Sequence, residues 1–196
     1  MTASRPLLDE LNAHAPRAIV IGGSAGSIDA LRTLVPVLAG DVPVLVVVHI
    51  ATDAKSDWSK VFPSSTLVLR EAEDKEVAVP GTLFFAPPDY HLLVDAEGTL
   101  SLSVEPPVHH SRPAIDVLFE AAAWAYRERL LGIVLSGANA DGADGLAAIH
   151  RAGGLCWVQS PESSPAPTMP RAALLAVPKA RALTLDEMAE AFRGRA

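Results

Sequence analysis

The sequence predicts an α/β domain on a doubly wound, predominantly parallel sheet with a small antiparallel hairpin insertion. Short apolar runs recur at residues 18–21, 44–48, 131–135 and 155–158, and the valine-rich 44–48 run reads as a strand buried on both faces. Segments of helical periodicity follow the first and third of these runs, as crossovers between parallel strands require. Between residues 66 and 104 the pattern changes to short strands separated by turn signals, which marks the hairpin insertion.

Taken in order, residues 1–16 carry no strong pattern and form an N-terminal extension, with at most a short frayed helix. The main domain then runs from 17 to 196. The 18–21 strand ends in Gly22-Gly23-Ser24-Ala25-Gly26-Ser27, after which Ile28, Leu31, Leu34 and Val35 recur at helical spacing up to Pro36. A short strand is expected at 66–69, and residues 82–86, 91–94 and 99–104 supply the strands of the insertion. Helical spacing resumes over 114–129, through Val117, Leu118, Ala121, Ala122 and Ala125. The 131–135 strand leads through a glycine-rich loop to a helix at 143–151, then to the 155–158 strand. Short helices near 170–176 and 185–193 close the chain.

Composition narrows the function. Nearly half of the 196 residues are apolar (49%), so the chain has enough material for a core, and the net charge of -7 argues against nucleic acid or an anionic membrane surface as unaided partners. The single cysteine, Cys156, lies in an apolar run and reads as a small buried hydrophobe. No leader pattern opens the chain, and no apolar run nears the ~20 residues of a membrane helix. A cytoplasmic, monomeric protein without membrane insertion is the expectation.

Ligands of open α/β sheets bind beyond the carboxyl ends of the strands, and three strand ends here carry reactive residues. Gly22-Gly23-Ser24-Ala25-Gly26 matches the G-x-S-x-G nucleophile elbow, in which a serine sits on a sharp strand-to-helix turn. The plain alternative is a glycine turn whose serine caps the helix. His49 ends the 44–48 strand, where an imidazole either serves as a hydrogen-bonded structural residue or accepts a serine proton. Asp141, after the 131–135 strand, reads either as a turn or N-cap or as the carboxylate that orients the imidazole. Asp144 competes for that role. The resulting chain order Ser, His, Asp differs from that of α/β-hydrolases, so the elbow does not assign that fold.

These residues and their surroundings resemble the catalytic domain of CheB-like protein-glutamate methylesterases over roughly residues 17–177. The matching segments include Ile19-Val20-Ile21-Gly22-Gly23-Ser24-Ala25-Gly26, Val47-Val48-His49, Phe85-Ala86-Pro87-Pro88-Asp89-Tyr90-His91-Leu92, Ser111-Arg112-Pro113-Ala114-Ile115-Asp116, Gly132-Ile133-Val134-Leu135-Ser136-Gly137 and Met169-Pro170-Arg171-Ala172-Ala173. The resemblance implies a serine hydrolase of chemotaxis signalling that demethylates glutamyl methyl esters on chemoreceptors and deamidates particular glutamines. It puts the nucleophile on Ser24, the base on His49 and the triad carboxylate on Asp141. Backbone N–H groups of Ala25 and Ala138 then form the oxyanion hole, and no cofactor or metal is implied. The expected partner is a methylated chemoreceptor or similar signalling protein. An esterase for another substrate and a catalytically silent signalling module are the alternatives.

The chain also departs from the family pattern. Ala25-Gly26-Ser27 replaces the usual Thr-Gly-Gly, Ala138 replaces a methionine, and Ile50-Ala51 replaces Met-Pro, with a poor match through Thr52-Asp53-Ala54-Lys55. The stretch before Ala18 is too short for the receiver domain that many relatives carry, which implies a stand-alone domain, unregulated or regulated by a partner in trans. Arg112 reads as fixing its loop, with lining of the substrate cleft as the alternative. His109-His110 lack an evident ligand partner and read as a solvated loop. Asp116 reads as a first-turn carboxylate favoured by the helix dipole.

Overall fold

Alternating apolar residues along each central strand feed two separate cores, and this determines how the chain wraps. In the computed structural model, which describes residues 4–49 and 57–195, the first strand β1 (Ala18–Gly23) is buried along its whole length. It pairs in parallel with β2 (Val44–Val48) on one side and with β7 (Leu130–Val134) on the other. Beyond β2 lie β4 (Thr82–Phe85) and β3 (Val68–Glu71); beyond β7 lie β8 (Leu155–Gln159) and β9 (Arg181–Leu183). All seven strands of this sheet run parallel, in the order β3-β4-β2-β1-β7-β8-β9.

Ile19, Ile21, Val44, Val46 and Val48 face one core, under α1 (Ser4–His14), α2 (Ser27–Leu34), the short α3 (Trp58–Val61) and α7 (Leu185–Arg193). Ala18, Val20, Leu45 and Val47 face the other, under α4 (Ile115–Tyr126), α5 (Ala143–Arg151) and α6 (Thr168–Ala176). Period-two alternation on strands that are buried on both faces is what a doubly wound sheet demands. The antiparallel hairpin of β5 (His91–Val94) and β6 (Leu100–Ser103) packs its Leu92, Val94 and Leu100 into the second core, beside α4.

The expected insertion is therefore smaller than the strand pattern suggested. Residues 82–85 pair in parallel with β2 and β3 and belong to the main sheet, because all four are buried and the sheet edge beyond β2 was open to them. Only β5 and β6 are antiparallel. The β3 strand starts two residues later than expected. Short β9, with two of its three residues exposed, lacks the apolar run that would reveal it. Residues 4–14 form a regular helix that buries Leu7 and Leu11 in the first core. The 50–55 departures lie outside the described residues.

Close packing at β1 makes one glycine indispensable. A Cβ on Gly22 would collide with Ile115 Cγ2, a methyl of a β-branched side chain with little freedom to retreat. Gly22→Ala is expected to cost about 1–3 kcal/mol of stability through overpacking, read as a lowered urea midpoint. A second expectation concerns Cys156, which is buried (6% exposed), with its thiol pKa pushed up to about 12 by burial. The thiol stays protonated at pH 8, and the thiolate is the reactive form. A thiol reagent at pH 8 should label the native protein far more slowly than the urea-unfolded chain; comparable rates would contradict the burial.

Candidate active site

Where β1 meets its neighbours the chain leaves the sheet in opposite directions, and this switch point collects the three candidate residues. Gly23 and Val48 are register partners, so Ser24 and His49 are the next residues beyond adjacent strand ends. The His49 N–H donates to Gly23 O at 3.1 Å, which carries the pairing one step further. On the other flank, the loop after β7 brings Asp141 to the imidazole, with His49 Nε2 2.9 Å from Asp141 Oδ2. The Asp141 side chain is fully buried, whereas 14% of the His49 side chain is exposed. The distance is that of an ion pair. The ring N–H is not aligned for a full hydrogen bond, although a resting site need not have reached its reactive alignment.

Ser24 stands on the turn between β1 and α2, half-buried. Its N–H donates to Ser136 O at 2.9 Å, and its carbonyl accepts from the Ser27 N–H (3.0 Å) and Ser27 Oγ (2.6 Å). The backbone of the serine is thus pinned at both ends. The helix-cap alternative is not observed: the N-cap of α2 is Gly26, in the left-handed region at φ 80°, with no side-chain cap bond. Ser27 is fully buried and uses its hydroxyl to tighten the same turn.

Asp141 does not cap its own helix either, since Gly142 occupies the N-cap of α5. It reaches across to α4, where Oδ2 accepts the Ile115 N–H (2.8 Å) and Oδ1 the Asp116 N–H (2.9 Å). These are first-turn donors that the helix leaves without intrahelical acceptors. Burial pushes the Asp141 carboxyl up, but His49 and the two N–H groups outweigh it and hold the group below the usual carboxylate range. Asp144, the competitor, is exposed, and Asp141 is the residue that meets His49.

Two further residues complete the joint. The Ala114 N–H donates to His91 Nδ1 at 3.2 Å, and His91 Nε2 lies 3.1 Å from Pro106 O. A carbonyl can only accept, so these partners require the proton on Nε2 and a lone pair on Nδ1. Asp116 in turn accepts the Gly145 N–H of α5 through Oδ1 at 2.7 Å. Burial raises its carboxyl to about 6, against the lowering effect of that N–H. Each helix therefore receives a carboxylate from the other's N-terminal region.

Ser136 lies inside a matched segment but draws no role from the sequence, and Gln159 lies in no quoted segment, yet both fix the loops around the serine. Gln159 Oε1 accepts the Ser136 N–H at 2.9 Å. Ser136 Oγ donates to Ala25 O at 2.7 Å and accepts the Ala166 N–H at 2.9 Å. Their near-complete burial is the one signal, and only the fold reveals it. Ala25 and Ala138 are exposed, and neither N–H has an acceptor among the described residues.

Beside His49 opens a cleft of about 200 Å³ walled by Trp58, Glu71, Phe85, His110 and Arg112. Trp58 stacks on Phe85 with centroids 3.6 Å apart. The Arg112 Nη1 donates to Val104 O and Glu105 O, at 2.9 and 3.1 Å, which supports the loop-fixing reading, while its Nε remains buried without a partner among the described residues. The wall thus combines an aromatic stack with charged and polar groups.

The Asp141 anchorage predicts a stability effect separable from catalysis. Asp141→Ala would strand the buried Ile115 and Asp116 N–H groups, at about 1–3 kcal/mol for each unpaired donor. Asp141→Asn keeps one acceptor oxygen and should lose clearly less. Urea denaturation of the two variants checks this; equal losses would mean that the α4 contact contributes little.

Comparison with known proteins gives a consistent result. The family model described as CheB methylesterase matches residues 19–192. A protein of Leptospira interrogans named putative protein-glutamate methylesterase/protein-glutamine glutaminase is 42% identical over 89% of this chain and 92% of its own length. A Caulobacter vibrioides protein-glutamate methylesterase/protein-glutamine glutaminase is 35% identical over 91% of this chain and 54% of its own. The crystal structure of the Thermotoga maritima CheB methylesterase catalytic domain superimposes with a TM-score of 0.85 at 26% identity, covering 92% of this chain and 99% of that one. The chain belongs to the CheB methylesterase family.

Proposed function

We propose that the protein hydrolyses glutamate methyl esters on chemoreceptor-like signalling proteins, with Ser24 as nucleophile, His49 as general base and Asp141 as the carboxylate that orients the imidazole. The observation that carries this reading is the 2.9 Å approach of His49 to buried Asp141 beside the strand end that bears Ser24. The double name of the relatives extends the proposal to deamidation of glutamine side chains.

In the first step His49 takes the Ser24 proton as Oγ bonds to the ester carbonyl carbon. The carbonyl π electrons move to oxygen, and the backbone N–H groups of Ala25 and Ala138 receive that oxyanion. Collapse breaks the bond to the methoxy group, which leaves as methanol with the proton from His49. Water, deprotonated by the same imidazole, then attacks the glutamyl-serine ester and releases a free carboxylate with Ser24 restored. A glutamine substrate follows the same path with ammonia as leaving group. Throughout, Asp141 remains ionised because its carboxyl is held low, so it can stabilise the imidazolium that forms twice per cycle.

The proposed steps use side chains, two backbone N–H groups and water. It acts on a folded partner, the methylated receptor, whose glutamate must enter the cleft beside His49. A cytoplasmic location and control by a partner in trans belong to the same proposal. In the described residues no helix is long and apolar enough to cross a membrane.

The decisive measurement is methanol release from methylated receptor signalling domains. The unmodified protein should release it, and Ser24→Ala, folded by circular dichroism, should be slower by about 10³-fold or more. No release across several receptors, with activity on a small ester retained, would replace the proposed substrate with another ester. Loss of both activities in the folded protein would favour a non-catalytic module.

A further inference from the structure

We propose that His109, Asp116 and Asp144 form a divalent transition-metal site at the junction of α4 and α5. The three residues come from separate segments: the turn at 108–111, the first turn of α4 and the first turn of α5. His109 Nε2 and one carboxylate oxygen from each aspartate all lie within 4.8 Å of one another. The isolated-histidine objection, that His109 has no ligand partner nearby in sequence, disappears once the fold brings the two helix starts together.

The second observation is an unsatisfied oxygen. Asp116 is only 4% exposed, and its Oδ1 is used by the Gly145 N–H. Its Oδ2 is buried and makes no aligned hydrogen bond among the described residues. A buried carboxylate oxygen left this way is costly. His109 Nε2 lies 3.1 Å from it, where the ring N–H misses the oxygen's direction. That separation is close to the edge of a coordination polyhedron with metal–ligand bonds of about 2.0–2.2 Å. With the imidazole proton on Nδ1, both atoms would direct lone pairs to one cation between them.

Asp144 supplies the third ligand from the solvent side. It is exposed, as is His109, so both can close by side-chain rotation on the fixed Asp116 oxygen. One imidazole nitrogen and two carboxylate oxygens suit zinc, cobalt or nickel, with water completing the sphere. A dication also balances the two carboxylates, which no lysine or arginine among the described residues pairs. The 108–111 turn is closed by reciprocal bonds between Val108 and Ser111, at 3.1 and 2.8 Å, and His110 beside it walls the cleft next to His49. An ion at this site would therefore clamp one wall of the cleft and the α4–α5 joint together.

The test uses the full chain, stripped with a chelator and desalted, then titrated with Zn²⁺ alone by calorimetry. One equivalent should bind, and His109→Ala and Asp144→Asn should each weaken binding by at least about tenfold. Both positions are exposed, so the variants should fold, which circular dichroism verifies. His150→Ala, an exposed histidine on α5 outside the cluster, should leave binding unchanged. Zn²⁺ should raise the thermal midpoint of the unmodified protein and not that of the two ligand variants. Failure to bind one equivalent overturns the proposal. So does binding undiminished in His109→Ala and Asp144→Asn, including the case in which only His49→Ala removes it.

Discussion

The Asp141 carboxylate holds two structures together at once. On one side it accepts the first-turn N–H groups of α4, and on the other it meets the His49 imidazole. Taking a carboxylate fully out of water costs several kcal/mol, so it survives there only if the interior supplies donors. The helix terminus supplies two, with the favourable end of its dipole behind them. The imidazole is thus positioned through α4, and α4 is positioned through its packing on β1, where Ile115 occupies the space that Gly22 leaves open. Sheet packing and site geometry are parts of one constraint.

That constraint explains why so many polar residues are buried at one end of this sheet. Asp141 faces α4 from the loop before α5, while Asp116 on α4 caps α5 through Gly145. The exchange requires the two helices to approach closely. A Cβ at position 145 would meet Phe119 Cβ at 2.5 Å and the Asp116 backbone at about 3 Å, so glycine is what permits it. His91 then takes the Ala114 N–H. Donors left over at the start of α4 are consumed by His91 of the hairpin and Asp141 of the loop before α5, which ties the three segments together.

Much of the fold was legible because buried parallel strands announce themselves as continuous apolar runs. The 44–48, 91–94 and 143–151 elements match their expected bounds. Where the pattern is weak the reading failed for definite reasons. Strand β9 has two exposed residues out of three, and its identity comes from pairing with β8 rather than from its own composition. Residues 82–85 looked like part of a hairpin set because they are short and close to other short strands. Partner choice, which made them a parallel member of the main sheet, is a long-range property. At the site, the three strand-end residues carried motif signals. Ser136, although inside a matched segment, and Gln159, outside any, gave no hint of a role, since a serine or glutamine becomes informative only when burial forces it to find partners.

The departures from the family pattern separate by burial, and this bears on what they change. Ala25 and Ala138 are exposed, and the peptide groups that carry their N–H are held through the preceding carbonyls: Ser24 O accepts the Ser27 N–H and hydroxyl, and Gly137 O accepts the Met169 N–H. Ser27 is buried and adds a hydroxyl bond to the Ser24 carbonyl that glycine cannot make. The turn is tied from within by a buried hydroxyl, while its outer face presents a methyl side chain at Ala25. On the proposed reading, Ser27 acts on the backbone that presents Ser24, whereas the two exposed alanines act only on the space that an incoming side chain would enter.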